Sequence, residues 1–238
     1  MLFNLNATLF ENVAKIFTTT EYLEVLGIGF LNTLLISLGA SVLGIIIGVL
    51  VAIVKISPSR VWIMRVLNVI CDIYTTIIRG TPMALQLFIM AFVIFAIRGF
   101  PMQLIAIIAF GINSGAYVSE SIRAGILSVD IGQTEAGRAL GLPYKKTMAK
   151  IVIPQAIKNV IPAIGNEIIA LIKETSIVSM VGEIIDLTVA AKNIGAGNEL
   201  ANYLAPMMVV ALFYLAIVYG ITFIIKIIER RLRAGDKR

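Results

Sequence analysis

Histidine is absent from this 238-residue sequence, and cysteine occurs only once, at Cys71. A single cysteine excludes a disulfide within the chain, and the lack of histidine excludes histidine-containing metal sites and a Ser-His-Asp triad. No Gly-x-x-x-x-Gly-Lys-Ser/Thr loop occurs, so the chain does not hold a nucleotide phosphate in the Walker A manner. Cys71 lies in an apolar run, where packing is its expected role.

Charged residues are also scarce, at 14% of the chain, whereas hydrophobic residues make up 59% and the mean hydropathy is +0.96. This composition cannot surround a soluble core with a polar exterior, so the main solvent must be lipid. The net charge of +6 comes from basic residues in short loops and in the tail, which is how membrane proteins set their orientation. The distribution predicts no nucleic-acid binding.

Five apolar segments reach the roughly 20 residues that a helical membrane span requires. They are residues 27–54, 61–97, 103–122, 155–173 and 203–228. The second would reach about 55 Å as one straight helix. It therefore either splits into two spans or is one kinked span, broken at Gly80, Thr81 and Pro82.

The distribution of basic residues decides between these alternatives. With one kinked span, Lys55, Arg60 and the basic loop 123–158 share the inner face with the tail, and only Lys15, Arg98 and Lys192 lie outside. A split would move the loop to the opposite face from Arg60 and break the positive-inside rule. We therefore predict an all-α integral membrane protein with five spans, the N-terminus outside and the C-terminus inside. Its parts are an outer segment 1–26, a transmembrane domain 27–228 and a basic tail 229–238.

Three shorter patterns add local expectations. The leading segment has Leu5, Leu9, Phe10, Val13, Ile16 and Phe17 at helical spacing, which fits either an interfacial helix or a loose lead-in. The loop 182–202 is predicted to be a short amphipathic outer segment. Two Gly-x-x-x-Gly pairs, Gly44 with Gly48 and Gly111 with Gly115, would permit close helix approach.

A polar segment inside the basic loop is predicted to form a short helix. Asp130 has the form of an N-cap with a capping-box partner at Gln133. The helix is expected to end at Gly141, in a left-handed conformation, with Pro143 preventing continuation. Ala136 and Leu140 would share one face, suited either to a groove on a partner protein or to solvent.

This segment resembles the EAA signature of ABC-importer permeases. The residues that carry the resemblance are Glu135, Ala136, Gly137, Arg138, Leu140 and Gly141, followed by Ile151-Val152-Ile153-Pro154. Arg79-Gly80-Thr81-Pro82 with Gln86-Leu87, Gly115 to Glu120 running into Arg123, and Lys173 to Ser176 resemble permeases for polar amino acids. Gly137 stands where the family has alanine, and it could loosen the helix by up to about 1 kcal/mol.

The resemblance implies a type I, MetI-like permease fold in a prokaryotic cell membrane, with the short helix coupling to an ATPase. ATP and Mg would lie on that separate ATPase, and this chain would hold no cofactor and no metal. The other implied partners are a second permease chain, identical or related, an extracytoplasmic binding protein and an amino acid substrate. The chain itself would be a translocation subunit and not an enzyme.

Ionisable residues in or near the spans indicate a substrate path, because such side chains face protein or water rather than lipid. They are Asp72, Arg79, Glu120, Glu167 and Glu174. Arg79 and Glu120 suit the carboxylate and ammonium of an amino acid, or pair with each other, or Glu120 pairs with Arg123. Thr81, Asn113 and Ser114 would add hydrogen bonds to substrate or pack between helices. Because carboxylates outnumber Arg79, a basic amino acid is the expected substrate.

Two other functions fit a membrane protein with buried charges. An ion-coupled secondary transporter is one, although such folds usually carry more spans and internal repeats. A membrane assembly subunit that binds a partner without coupling to flux is the other.

Overall fold

Helices make up nearly all of the chain that the structure describes, and no strand occurs among those residues. The structure is a computed structural model that describes residues 2–57, 61–96, 99–197 and 203–234. The helices are α1 Leu2–Thr18, α2 Thr20–Ile56, α3 Trp62–Gly80, α4 Met83–Ile89, α5 Met102–Leu127, α6 Ile131–Ala139, α7 Tyr144–Thr147, α8 Ile153–Glu174, α9 Leu187–Ala196 and α10 Leu204–Arg233. A π-helical turn follows α4 and another follows α7, and a 3-10 turn, Thr175–Met180, follows α8. The all-α prediction is confirmed for the described residues.

Three of these helices, α2, α5 and α10, are long and apolar enough to cross a membrane alone. The helices α2 and α5 contain the predicted spans 27–54 and 103–122, and α10 covers the predicted span 203–228 except for Tyr203. The predicted span 155–173 forms α8, which is not apolar enough to join them, because polar residues interrupt its sequence. These polar residues are Lys158, Asn159, Asn166 and Glu167. The count of five spans and the outward N-terminus therefore stay predictions.

Some predicted features extend beyond the described residues or differ in their limits. Arg60, Arg98, Lys237 and Arg238, on which the charge argument partly depends, lie outside the described residues. The helix α2 begins at Thr20, within the predicted outer segment, and α10 continues past 228 into the predicted tail. A hydrophobic span can continue as helix into the polar boundary, because its backbone hydrogen bonds are internal to the helix.

The long second segment is broken where the sequence predicts. The helices α3 and α4 meet at 109°, as a broken span or a re-entrant loop. Gly80 ends α3, and Thr81 and Pro82 between the helices are extended. Proline cannot donate a backbone hydrogen bond and restricts the residue before it to extended conformations, which accounts for the interruption here.

The N-terminal segment is a helix rather than a loose lead-in, and its position at the membrane interface stays a prediction. Ile16 of α1 is fully buried in a core cluster that also contains residues of α2, α9 and α10, whereas 75% of Phe10 is exposed. One face of α1 therefore packs on the protein and the other is open. The side chain of Leu5 lies outside the described residues.

The predicted outer amphipathic segment is buried more deeply than its sequence suggests. The helix α9 packs against α2 and α10, with Leu187, Ala190 and Ile194 in the core. Asp186 caps α9, because its carboxylate accepts from the N–H groups of Thr188 at 3.1 Å and Val189 at 2.9 Å. Burial raises the pKa of the Asp186 carboxyl, and these N–H donors oppose that shift.

The most extensive helix contact among the described residues joins α2 and α5, and it includes the predicted glycine pairs. A Cβ at Gly44 would lie 2.8 Å from the Ser114 side chain, and one at Gly48 would lie 2.5 Å from Val118. The pair on α5 is equally tight, since a Cβ at Gly111 or Gly115 would lie within 2.7 Å of an α2 side chain. The prediction of close helix approach is therefore confirmed, and it fixes the position of the polar end of α5 relative to α2.

We expect Gly48→Ala to lower the stability of the folded chain by about 1–3 kcal/mol, because the new methyl group must displace Val118. Thermal unfolding of the purified protein in detergent would measure the loss. The matched control is Gly220→Ala, at an exposed position of α10 where a Cβ meets no atom within 4 Å. Val118→Ala in the Gly48→Ala background should restore stability, and the absence of any such restoration would contradict this packing.

Candidate functional site

An open polar cavity of about 570 Å³ lies between the C-terminal parts of α2, α3 and α5. Two predicted site residues, Arg79 and Glu120, line it together. The complete lining is Lys55, Asp72, Thr75, Thr76, Arg79, Gly80, Glu120 and Arg123. A cavity with this many charged residues at the end of apolar helices is the strongest candidate for a path for a polar solute.

Glu120 is the centre of the charge cluster in this cavity. Its Oε1 lies 2.6 Å from Lys55 Nζ, and its Oε2 lies 2.8 Å from an Arg123 guanidinium nitrogen. Arg79 lies farther away, at 3.9 Å from Oε2. Both predicted alternatives to substrate contact, pairing with Arg79 and pairing with Arg123, are therefore present together. Only 17% of the Glu120 side chain is exposed, and both of its carboxylate oxygens are paired with cations of the protein.

Lys55 is the member of the cluster that the sequence analysis missed. Its Nζ contacts Asp72 at 3.0 Å and the Thr75 hydroxyl at 3.2 Å as well as Glu120. The positive-inside rule predicts an inner-face position for Lys55, because it follows directly after a hydrophobic span. Lys55 is the single cation in the last turn of α2. A lysine there either reaches water or pairs with a buried acid, so the sequence contained a signal for this pairing.

The cluster changes the charge balance from which a basic substrate was expected. Its members are three cations, Lys55, Arg79 and Arg123, and two carboxylates, Asp72 and Glu120. Because Lys55 and Arg123 line the cavity together with Arg79, its three cations outnumber its two carboxylates. The charge balance of this cavity therefore does not by itself favour a basic substrate, and that preference stays a prediction.

The other three predicted substrate residues lie apart from this cluster. Gln86 Nε2 donates to the Thr81 hydroxyl at 2.7 Å, and Asn113 Nδ2 donates to Gln86 Oε1 at 2.9 Å. Ser114 is 1% exposed and packs where α2 and α5 meet at Gly44. The structure therefore brings Thr81 and Asn113 together through Gln86, across the bend between α3 and α4, and places Ser114 in helix packing.

The predicted short cytoplasmic helix is α6, and both of its ends form as the sequence indicates. Asp130 Oδ1 accepts from the N–H of Gly132 at 2.8 Å. At the other end Gly141 has φ +80°, and the N–H of Leu142 donates to the carbonyl of Gly137 at 3.1 Å, which completes a Schellman motif. The capping-box contact is replaced, because the Gln133 side chain accepts from Gln155 at 3.3 Å.

The outer surface of α6 is open and mixes apolar with charged groups. Leu140 is 82% exposed and Ile131 is 73% exposed. Glu135, Ala136 and Arg138 are exposed on the same helix. This combination of exposed apolar and charged side chains is compatible with docking of another protein.

Gly137 faces the chain itself rather than this open surface. A Cβ at Gly137 would lie 2.7 Å from Thr147 Cγ2 and 3.0 Å from Ile151 Cδ1. Glycine therefore lets α6 pack closely on the π-helical turn Met148–Val152, which opposes the loosening expected from glycine in a helix. Gly137 and Gly141 shape and hold α6, and the exposed residues remain to contact a partner.

A second cavity of about 430 Å³ connects α6 with the charge cluster. Lys55 and Arg123 line one side, and Ile131 and Thr134 of α6 line another. The same two cations therefore border both cavities. A displacement of α6 would therefore change the shape of a cavity that Lys55 and Arg123, the two residues that hold Glu120, also line.

Comparison with known proteins identifies relatives over most of the chain. Residues 25–234 match the family model described as binding-protein-dependent transport system inner membrane component. The chain is 42% identical over 210 residues to the arginine transport system permease protein ArtQ of Bacillus subtilis, covering 87% of this chain and 92% of ArtQ. It is 45% identical over 206 residues to the putative glutamine transport system permease protein GlnP of Rickettsia bellii, covering 86% and 91%.

Solved structures agree with this relationship. The fold matches a chain in the crystal structure of an amino acid ABC transporter with histidines, with a TM-score of 0.81, 34% identity and coverage of 91% of this chain and 98% of that one. It also matches the inward-facing MetNI methionine ABC transporter, with a TM-score of 0.73, 21% identity and coverage of 90% and 99%. The second likeness concerns the fold alone.

Proposed function

The chain belongs to the binding-protein-dependent transport system inner membrane component family and is an amino acid ABC transporter permease subunit, and from this premise we propose that it couples ATP hydrolysis on a separate subunit to import of polar amino acids. The observation that carries the proposal is the exposed surface of α6, which borders a cavity shared with Lys55 and Arg123. The proposed complex holds two permease chains, two ATPase chains and an extracytoplasmic binding protein, in a bacterial cell membrane.

Coupling is proposed to begin at α6. Leu140 and Ala136 would enter a groove on the ATPase, with Glu135 and Arg138 pairing with polar groups at its rim. Gly137 and Gly141 would hold α6 rigidly on the permease, so that movement of the ATPase is transmitted rather than absorbed. ATP and Mg would be bound by the ATPase.

The transmitted movement is proposed to reach the substrate path through Lys55 and Arg123. These residues hold Glu120 and border both cavities, so a shift of α6 would change the cations around Glu120. Alternating access would then follow from opening and closing the polar cavity as the ATPases close and separate. The membrane span count of five, with the N-terminus outside, is the topology that accompanies this proposal.

The substrate is proposed to be a polar amino acid, with basic amino acids favoured. The names of two similar proteins support this preference, since ArtQ is an arginine permease and the structural neighbour was crystallised with histidines. A glutamine-type substrate is the second candidate, because a putative glutamine permease is similar at 45% identity. The charge cluster is compatible with either, since it offers groups for both the carboxylate and the ammonium.

The test is uptake of labelled amino acids into proteoliposomes that contain this chain, its co-purifying ATPase and an added binding protein. We expect uptake that requires ATP, is unaffected by dissipating ion gradients, and is greatest for arginine, lysine or histidine. Uptake confined to glutamine and other neutral polar amino acids would retain the importer and reject the basic preference. Uptake driven by an ion gradient without ATP, or a stable complex that transports none of these amino acids, would overturn the proposal in favour of a secondary transporter or an assembly subunit.

A further inference from the structure

A stripe of polar residues follows one face of α3, although most of this helix presents apolar side chains to its surroundings. Asp72, Thr76 and Arg79 are all exposed, at positions i, i+4 and i+7 of the helix. Ile73 and Ile77, next to them in sequence, are 53% and 56% exposed. Residues four and seven positions apart share a helix face, so the polar stripe is separate from the apolar surface.

Lipid cannot be the environment of this stripe, because an ionised side chain in hydrocarbon is costly and normally faces protein or water. All three residues line the polar cavity of about 570 Å³. The stripe therefore opens to the proposed solute path, and its charged groups are accessible to whatever enters that path.

Glu120 cannot serve as the counter-ion for a substrate ammonium in this arrangement. Each of its oxygens already has a charged partner, Lys55 at 2.6 Å and Arg123 at 2.8 Å. Asp72 is different, because its side chain is 64% exposed and only Oδ1 is paired, with Lys55 at 3.0 Å. Among the described residues no partner is found for Asp72 Oδ2, which is thus available to a ligand.

Arg79 is available in the same way. Its guanidinium carbon lies 5.4 Å from the centre of the Tyr117 ring, and its one carboxylate neighbour among the described residues is Glu120, at 3.9 Å. At that distance the pair is an ionic contact without a hydrogen bond. The Tyr117 ring holds the guanidinium in place, and the N–H donors of the guanidinium remain free to bind a carboxylate in the bidentate geometry that arginine favours.

We propose that Arg79 and Asp72 bind the substrate directly, Arg79 through the amino acid carboxylate and Asp72 through the ammonium, while Glu120 positions Arg79 by its ionic contact and Asp72 through Lys55. This inference rests on the proposed function and deepens it by naming the ligand groups. The two residues are about 10 Å apart along the helix axis. Both side chains lean toward the N-terminus of α3, and because the arginine side chain is the longer of the two, it covers part of this gap.

The experiment measures equilibrium binding of labelled L-arginine and L-glutamine to the purified permease and ATPase complex without binding protein. Each probe is compared with its C-terminal amide and its N-acetyl derivative as competitors. In the wild type, we expect both derivatives to compete at least tenfold more weakly than the parent amino acid. Arg79→Gln should weaken binding of the parent at least tenfold and remove the preference over the amide alone. Asp72→Asn should remove the preference over the N-acetyl derivative alone.

Two controls separate recognition from structural damage. Ile73→Leu, on the neighbouring apolar surface of α3, should bind all three compounds as the wild type does. Arg79→Lys should restore part of the preference for a free carboxylate, because it restores the charge.

Weakened binding of the parent and both derivatives by the same factor in each variant would overturn the inference, since a structural role does not distinguish the two ligand groups. Wild-type affinity in both variants would also overturn it, while ATP-driven uptake by the wild type would leave the proposed function intact. A wild-type complex that neither binds the probes nor shows ATP-driven uptake of any amino acid would overturn both.

Discussion

Ala136→Glu is expected to abolish ATP-driven uptake and to release the ATPase from the permease during purification. Ala136 is exposed on α6, so the larger side chain meets no neighbour within its own chain in the free permease. In the proposed complex it would bury an unpaired carboxylate in an apolar groove, which costs several kcal/mol. Since each 1.4 kcal/mol is a factor of ten in affinity, we expect at least a hundredfold weaker association. Co-purification and proteoliposome uptake would measure both effects.

Ala149→Glu provides the matched control. Ala149 is also exposed in the loop 123–158, but it lies in the π-helical turn Met148–Val152 rather than in α6. The same chemical change there should leave ATPase binding and uptake within about twofold of the wild type. Full ATPase binding and full uptake by Ala136→Glu would remove α6 from the docking surface. Intact ATPase binding without uptake would instead indicate that α6 transmits the movement of the ATPase but is not needed for docking.

Glu120→Gln is expected to disrupt the charge cluster and to lower substrate-stimulated ATP hydrolysis at least tenfold. The change leaves three cations, Lys55, Arg79 and Arg123, facing the single carboxylate of Asp72. Breaking a buried ion pair costs about 3–5 kcal/mol, and with Glu120 partly exposed we expect about 2–3 kcal/mol. That loss corresponds to a fall in the unfolding temperature of about 5–10 °C for a chain of this size, measured in detergent.

The pairing with Lys55 gives this prediction an internal control. In the Glu120→Gln background Lys55 has already lost one of its two carboxylate partners, so adding Lys55→Met should destabilise the chain by less than the sum of the two single variants. Glu183→Gln makes the same change at an exposed position and should have no measurable effect. Additive losses in the double variant would show that Lys55 and Glu120 are not coupled. Unchanged stability together with lost substrate binding would indicate that Glu120 contacts the substrate directly.

Local sequence signals were sufficient to predict the features that depend on a few neighbouring residues. Asp130 at the start of α6 and Gly141 after its end are predictable because capping is decided within a single helical turn. The break after Gly80 is predictable for the same reason, since Pro82 restricts its own backbone and that of Thr81. The glycine pairs Gly44 with Gly48 and Gly111 with Gly115 predicted close approach, although the sequence did not show that they face each other.

The substrate site was only partly predictable. Arg79 and Glu120 were nominated because ionisable groups are expensive in a membrane, and the structure places both in one cavity. The same reasoning did not reveal that Lys55, from a helix far away in sequence, occupies one oxygen of Glu120. It also grouped Thr81, Asn113 and Ser114 with the charges, whereas the structure uses them between helices.

The sequence by itself determined that the chain is helical, that lipid is its main solvent, where its helices break and end, and which family it resembles. These properties follow from composition and from interactions between residues close along the chain. Only the tertiary structure decided which carboxylate is neutralised and which is open, why Gly137 is glycine, and how deeply α9 is buried. Those properties depend on distances between side chains on different helices, and periodicity along one helix does not contain them.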